Sequence, residues 1–242
     1  DYFWPAVEQY VECTHEYWRS NGKFVPNIVL RLASGGYIGG GLYHSQNIEG
    51  ALATLPGARI VCPSFADDAA GLLRTAMRSR GFTLYLEPKA LYNSVEASSV
   101  VPEEFEVPFG KARIRREGTD LSMITYGNTT HFCLNVAERL AQEGWSVEVI
   151  DLRSLIPLDK ETIYASVKKT SKALVVHEDK VFSGFGAEIA AGIGTELFRY
   201  LDAPVQRVGS VFTPVGFHPI LEKAILPTED KIYDAARTLL EY

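Results

Sequence analysis

Leu121-Ser122-Met123-Ile124-Thr125-Tyr126, running on into Gly127-Asn128-Thr129-Thr130, is the stretch that decides the fold. An apolar run punctuated by glycine and small polar residues reads as a buried strand opening into a helix. The alternation then repeats. It predicts a helix over about 131–143, a strand over 147–152, a helix from Asp159 or Lys160 through Lys168, and a strand over 173–178. A helix entered by Gly184, a strand over 204–209 and a closing helix over 228–240 complete it. Strands separated by helices of this length pair in parallel, because a parallel crossover needs a dozen or more residues, and the helices cover both faces of the sheet. The class is α/β.

The first half carries the same alternation less cleanly. A helix over 7–18 stops at Ser20-Asn21-Gly22, and a strand covers 27–33. A helix over 48–55 ends at Pro56-Gly57, a strand covers 59–63, and a helix runs to about Arg78. Ser64 is placed to cap that helix, with Asp67 and Asp68 favouring its dipole. A strand follows over 82–87. From Asn93 the periodicity fades into Ser-, Glu- and Pro-rich sequence, which reads as a linker over 93–117 between a first domain (1–92) and a second (118–242).

The chemistry is expected after the first strand. Gly35-Gly36-Tyr37-Ile38-Gly39-Gly40-Gly41 places five glycines in seven positions and leads into Leu42-Tyr43-His44-Ser45-Gln46. Glycines there let the backbone take positive φ and approach a ligand, which a packed core does not require. His44 is the loop's titratable member. A histidine that merely caps the helix after it fits these residues equally well.

Composition narrows the partners. With a formal net charge of −6, the chain is a poor match for nucleic acid or an anionic membrane. No apolar run is long enough to span a bilayer. Cys13, Cys62 and Cys133 are odd in number and far apart, which suits reduced thiols in a cytosol-like compartment. Gly184-Phe185-Gly186-Ala187-Glu188 lacks the third glycine and the downstream acid of a dinucleotide loop, so it reads as a tight turn. His131 belongs to the first turn of a helix, and His177-Glu178-Asp179 ends a strand where it could line an interface. No His/Cys cluster has metal-ligand spacing.

Beyond these residue-level readings, the chain resembles a known family. Ala6-Val7-Glu8-Gln9, Leu42-Tyr43-His44-Ser45-Gln46, Leu55-Pro56-Gly57, Gly71-Leu72-Leu73, Leu86-Glu87-Pro88-Lys89-Ala90-Leu91-Tyr92 and the stretch from Val149 to Asp159 come in family order. So do Gly184-Phe185-Gly186-Ala187-Glu188-Ile189 and Leu201-Asp202-Ala203-Pro204. The chain is identified as similar, over its whole length, to the beta chain of the thiamine-diphosphate-dependent decarboxylating component of 2-oxoacid dehydrogenase complexes. Tyr43 before His44, and Asp1-Tyr2 before Pro5-Ala6, look closer to the branched-chain than to the pyruvate members.

The resemblance implies a partial pyrimidine-binding domain (1–92) and a transketolase C-terminal-like domain (118–242). The abrupt aromatic start, Asp1-Tyr2-Phe3-Trp4, then implies a preceding segment, either as a separate stretch or as part of a fused alpha–beta chain. It implies thiamine diphosphate with Mg2+ shared with an alpha part, oxidative decarboxylation of a 2-oxoacid, and reductive acylation of lipoyl. Expected partners are the alpha part, a second beta part in a heterotetramer, and the lipoyl acyltransferase core. The compartment would be cytoplasmic, or the mitochondrial matrix in a eukaryote. By the resemblance His44 is catalytic, and Tyr2 packs on the cofactor's aminopyrimidine.

The resemblance also implies a potassium ion held by main-chain carbonyls near Ile28, Ala76, Ser79 and Gly81. Ser79-Arg80-Gly81-Phe82 replaces the family's Asp-x-Asn-Pro pattern, however, and Arg78 and Arg80 add positive charge, which argues against the ion. Two other readings stay open: an assembly and docking part without catalysis of its own, and a relative of transketolase or deoxyxylulose-phosphate synthase.

Overall fold

The computed structural model describes residues 2–242; Asp1, quoted above beside Tyr2, lies outside them. Two sheets carry the chain. Helix α1 (Val7–Arg19) leads, ended by Asn21 and Gly22 at positive φ, and strand β1 (Ile28–Ser34) enters the first sheet. After the glycine loop come α2 (Glu49–Leu52), β2 (Ala58–Val61), α3 (Ala66–Arg78) and β3 (Phe82–Pro88). The second sheet is built from β4 (Arg113–Arg116), β5 (Leu121–Thr125), α4 (Thr129–Gln142) and β6 (Val147–Asp151). The chain continues through β7 (Ser154–Ile156), α5 (Lys160–Thr170), β8 (Ala173–Lys180), α6 (Gly186–Glu196) and β9 (Gln206–Ser210). It closes with α7 (Pro219–Ile225) and α8 (Glu229–Leu240).

The first sheet has the order β1-β3-β2-β7 and the second β4-β6-β5-β8-β9. β1, β3 and β2 run parallel, as do β6, β5, β8 and β9. The four strands expected in the second half all form; β5, β6 and β8 are buried on both faces, while β9, at the sheet edge, is half-buried. Successive residues serve opposite layers, as a period of two requires. Ile124, Ile150 and Val175 join the core shared with the first sheet, whereas Met123, Val149, Leu174 and Val176 pack under α4 and α8. On the first sheet Ile60 and Leu84 face the shared core, while Val61 and Tyr85 face α3.

Several expectations are corrected. The linker contains β4, whose Arg-Ile-Arg-Arg sequence has no apolar period; it adds antiparallel to β6. β7 leaves the second-half sequence and pairs antiparallel with β2 of the first sheet, tying the two sheets together. α2 is one turn long rather than two, and the helix entered by Gly184 ends at Glu196, followed by a short 3-10 turn over Phe198–Tyr200. Ser64 does not cap α3. Its hydroxyl instead donates to Asp151 Oδ1 at 2.9 Å and lies 2.9 Å from Thr130 Oγ1.

Asp68 likewise does more than face a dipole. It is fully buried and takes Arg153 Nη1 at 2.7 Å and Arg115 Nη2 on its other oxygen, while Arg115 also pairs with buried Asp151 at 2.7 Å. Arg115 stacks over the Phe65 ring with its guanidinium carbon 4.0 Å from the centroid. This clasp of two carboxylates and two guanidinium groups joins α3 to the second sheet. Burying such charges costs several kcal/mol per ion, so each is tolerable only because the others are present.

Candidate functional site

The loop after β1 owes its shape to alternating backbone handedness. Gly35, Tyr37, Gly39 and Gly41 take φ of +87°, +61°, +64° and +65°, with the residues between them outside the left-handed region. Such alternation turns successive N–H groups toward one side and makes concave anion-binding nests. Within this loop Tyr37 is the one bulky residue in that conformation, which costs about 1–2 kcal/mol. Its phenol is held by donating to the carbonyl of Pro227 at 2.8 Å, and its ring meets Phe132 edge-on at 5.4 Å.

Carboxylates from the second half fill the nests. Glu178, near the end of β8, accepts from the Gly36 N–H; Glu222 on α7 accepts from Ile38 N–H at 3.2 Å and Gly39 N–H at 3.3 Å. Burial pushes the Glu178 carboxyl up to about 7, while the Gly36 N–H and Lys89 pull the other way. At its far end the loop is closed by Gly35 N–H donating to Gln46 O at 3.1 Å, and the Gln46 amide donates to Leu42 O at 3.1 Å.

This places His44 on an exposed shelf, its imidazole centroid 5.3 Å from that of Tyr2 and tilted by 52°. The structure thus brings together two residues that lie 42 positions apart in sequence. Tyr2 is 74% exposed, so the ring keeps a face free for a flat partner. Leu42 and Tyr43 are exposed beside them, and Ser45 is buried with its hydroxyl unpaired. A cavity of about 430 Å³ lies elsewhere, between the start of α3 and the segment after β3; no residue of this loop lines it.

Behind the loop sits a buried polar cluster that the sequence did not announce. Glu49 on α2 accepts from the Tyr126 phenol at 3.0 Å, and its second oxygen has no partner. Burial and the nearby Asp179 push its carboxyl up to about 8. Asp179 in turn accepts from the Gly50 N–H at 3.2 Å. Glu178 and Asp179 therefore do line an interface, between the two halves of this chain. His177 points the other way, fully buried with neither ring nitrogen paired, and burial lowers its pKa to about 4. His131 packs at 4.6 Å on Phe65 and pairs with Ser64 O at 2.8 Å, a structural role.

The four positions expected to hold potassium gather where α3 ends and β1 and β3 begin. Two of their carbonyls already have partners: Gly81 O accepts from Ile28 N–H and Ala76 O from Ser79 N–H, both at 3.3 Å. Arg59 then enters from β2, donating to Arg80 O at 2.7 Å, with Nη2 3.2 Å from where a Gly81 side chain would begin. A fixed guanidinium at the C-terminal end of a helix supplies the charge a cation would bring. Arg78 turns away to Glu106 and Glu104. Among the described residues, no group of three or more His, Cys, Asp or Glu side chains could hold a metal ion, and no helix is long and apolar enough to cross a membrane.

Residues 14–95 match the transketolase pyrimidine-binding domain and residues 110–232 the transketolase C-terminal domain. The beta subunit of 2-oxoisovalerate dehydrogenase from Bacillus subtilis is 40% identical over all of this chain and 74% of its own length. The beta subunit of the pyruvate dehydrogenase E1 component from the same organism is 39% identical over 93% of this chain and 69% of its own. The mitochondrial beta-1 subunit of pyruvate dehydrogenase E1 from Arabidopsis thaliana is 40% identical over 91% of this chain. Among solved structures, a split-gene transketolase described as an inactive beta4 tetramer superposes with a TM-score of 0.70 over 90% of this chain at 23% identity, a likeness of fold.

Proposed function

We propose, because this chain belongs to the family of beta subunits of thiamine-dependent 2-oxoacid dehydrogenases, that it forms one side of a decarboxylase site completed by an alpha subunit. The observation that carries the reading is the pairing of Tyr2 with His44 on an open shelf at the end of a parallel strand. Thiamine diphosphate, when bound, supplies the electron sink for loss of CO2 from a 2-oxoacid. The free face of Tyr2 suits its aminopyrimidine ring, and the exposed Leu42 and Tyr43 fit the contact surface of a second subunit.

His44 is assigned the proton transfer that follows decarboxylation. Reductive acylation of a lipoyl disulfide leaves a thiolate that must take up a proton. An imidazole, whose unperturbed pKa is about 6.5, can donate one near neutral pH. The shelf leaves the imidazole open to an incoming lipoyl arm, and the loop's carboxylate anchors hold it in place. Mg2+ belongs with the alpha part in this reading, since the acidic residues described here form no metal group. Potassium is left out of this reading; what supports that is the Arg59 guanidinium beside Arg80 O and Gly81.

Branched-chain substrates are preferred to pyruvate in this proposal, on the strength of the alignment with the 2-oxoisovalerate enzyme along the entire chain. The test is reconstitution with an alpha subunit and thiamine diphosphate, following CO2 release from 2-oxoisovalerate and pyruvate. Cofactor-dependent release that needs both chains and favours 2-oxoisovalerate supports the reading. Release from neither 2-oxoacid in a well-assembled complex overturns it.

A further inference from the structure

We infer that Glu222 and Glu178 are positioning residues for His44, holding its loop from the opposite half of the chain; the inference rests on the proposed role of His44. Three N–H groups in four consecutive residues, those of Gly36, Ile38 and Gly39, are claimed by these two carboxylates. Neither is a surface ornament: Glu178 is 6% and Glu222 9% exposed. A backbone that alternates handedness has few internal hydrogen bonds and would otherwise be free to open. Acceptor oxygens brought to its N–H groups from outside therefore decide its conformation.

The packing supports the same assignment. A side chain at Gly36 would run into Leu226, with 2.6 Å to its methyl carbon, and one at Gly35 would meet the Glu178 carboxylate. A side chain at Gly41 would begin 3.5 Å from that of Phe217. The loop is therefore moulded to α7 and its flanking segments. Tyr37 adds the hydroxyl bond to Pro227, one residue past Leu226. His44 lies five residues beyond Gly39, past a turn that approaches the second half at Phe217. Release of the nests moves the imidazole. A displacement of about 1 Å costs on the order of a hundredfold in a proton transfer that depends on position.

The experiment compares Glu222→Ala and Glu222→Gln in the complex with an alpha subunit. An amide oxygen still accepts from Ile38 and Gly39, so the Gln variant restores geometry without charge, and a merely electrostatic role would not be rescued by it. Amide exchange over residues 36–39 should quicken about tenfold or more in Glu222→Ala, which removes the acceptor of the Ile38 and Gly39 N–H groups, and return near the parent rate in Glu222→Gln. Turnover to lipoyl domain should fall about tenfold or more in Glu222→Ala, with turnover to an artificial electron acceptor falling less. Tyr37→Phe, which removes only the bond to Pro227, should loosen the same amides to a smaller degree and guards against a Glu222→Ala variant that does not fold. Unchanged exchange in both Glu222→Ala and Tyr37→Phe overturns the inference, as does faster exchange with lipoyl turnover unaltered. Equal losses with both acceptors in His44→Ala would instead overturn the role of His44, leaving the exchange result to judge the anchors.

Discussion

Two glycine-rich turns follow parallel strands in this chain, and they do opposite things. After β1, residues 35–41 spread into an open loop whose N–H groups are bound from outside by Glu178 and Glu222 and which presents His44 to solvent. After β8, Gly184 and Gly186 are buried, and a side chain at either would overlap the Lys180 carbonyl oxygen or the His177 ring. The Asp179 carboxylate caps that turn from its own strand, accepting from Phe185 N–H at 3.4 Å. Glycine serves close packing throughout the second turn, whereas in the first Gly35 and Gly36 are packed and Gly39 supplies conformational freedom. Only the first leaves chemistry-bearing atoms exposed.

The largest expected effect lies in the packed turn. Gly184→Ala drives a methyl group into main-chain atoms that cannot move aside, so it should destabilise by about 3 kcal/mol or more. In a domain pair of this size that is a fall of roughly 6–12 °C in Tm. A calorimetric Tm within 2 °C of the parent would break the comparison (~2–4 °C per kcal/mol).

The next effect is electrostatic and belongs to the buried groups behind the open turn. The carboxyls of Glu49 and Glu178 are raised to about 8 and about 7, so both favour the protonated form in the folded state. A raised carboxyl contributes stability below its unfolded value, near 4.5, and loses it as pH rises through the folded value. For Glu178 alone that amounts to about 3 kcal/mol between pH 4.5 and 8. His177 acts in the opposite sense: lowered to about 4, its contribution is complete above its unfolded value near 6.5 and fades as the solution is acidified. Stability should therefore peak in mildly acid solution, and Glu49→Gln should flatten the alkaline side of the Tm–pH curve. An unaltered alkaline side in that variant would remove the basis for reading the cluster as protonated.

A smaller change is expected at Gly39. A Cβ there meets only the Phe217 carbonyl oxygen, at 4.0 Å, so the cost of Gly39→Ala is that of a φ of +64°, about 1 kcal/mol. Denaturant unfolding of Gly39→Ala and Gly184→Ala side by side sharpens the contrast; equal losses would mean that both turns are simply packed.

The smallest effect on folding comes from the helix behind the packed turn. Ala191 is exposed on α6, and Ala187 and Ala190 are half-buried beside it. We propose this small-residue face as a contact with another subunit, so Ala191→Arg should leave the Tm of the isolated chain within ~0.5 kcal/mol of the parent yet weaken the assembly in sedimentation. An unchanged oligomer would dismiss the contact.

The contrast between the turns also explains what sequence could convey. β5, β6 and β8 are readable because strands buried on both faces are near-continuous apolar runs, half-buried β9 follows from the strand–helix alternation before it, and the tight turn at Gly184 is readable from its missing third glycine. β4, written Arg-Ile-Arg-Arg, shows no such run, and three-residue β7 is recognisable only once β2 is beside it. The nests were equally hidden, since Glu178 and Glu222 stand 142 and 184 positions from the amides they hold. The glycine run signalled a site, and the family resemblance singled out His44 and Tyr2. Their 5.3 Å approach, the buried Glu49–Tyr126 pair and the Arg59 bond to Arg80 O exist only once the chain is folded.

The central claim is that the open turn exists to present His44 as the proton donor to a lipoyl thiolate. His44→Ala in the complex reconstituted with an alpha subunit tests it most directly, by comparing turnover with lipoyl domain and with an artificial electron acceptor. The account predicts a loss of about a hundredfold or more with lipoyl domain, within the range general acid catalysis supplies, and a much smaller loss with the artificial acceptor. Equal losses with the two acceptors would contradict it.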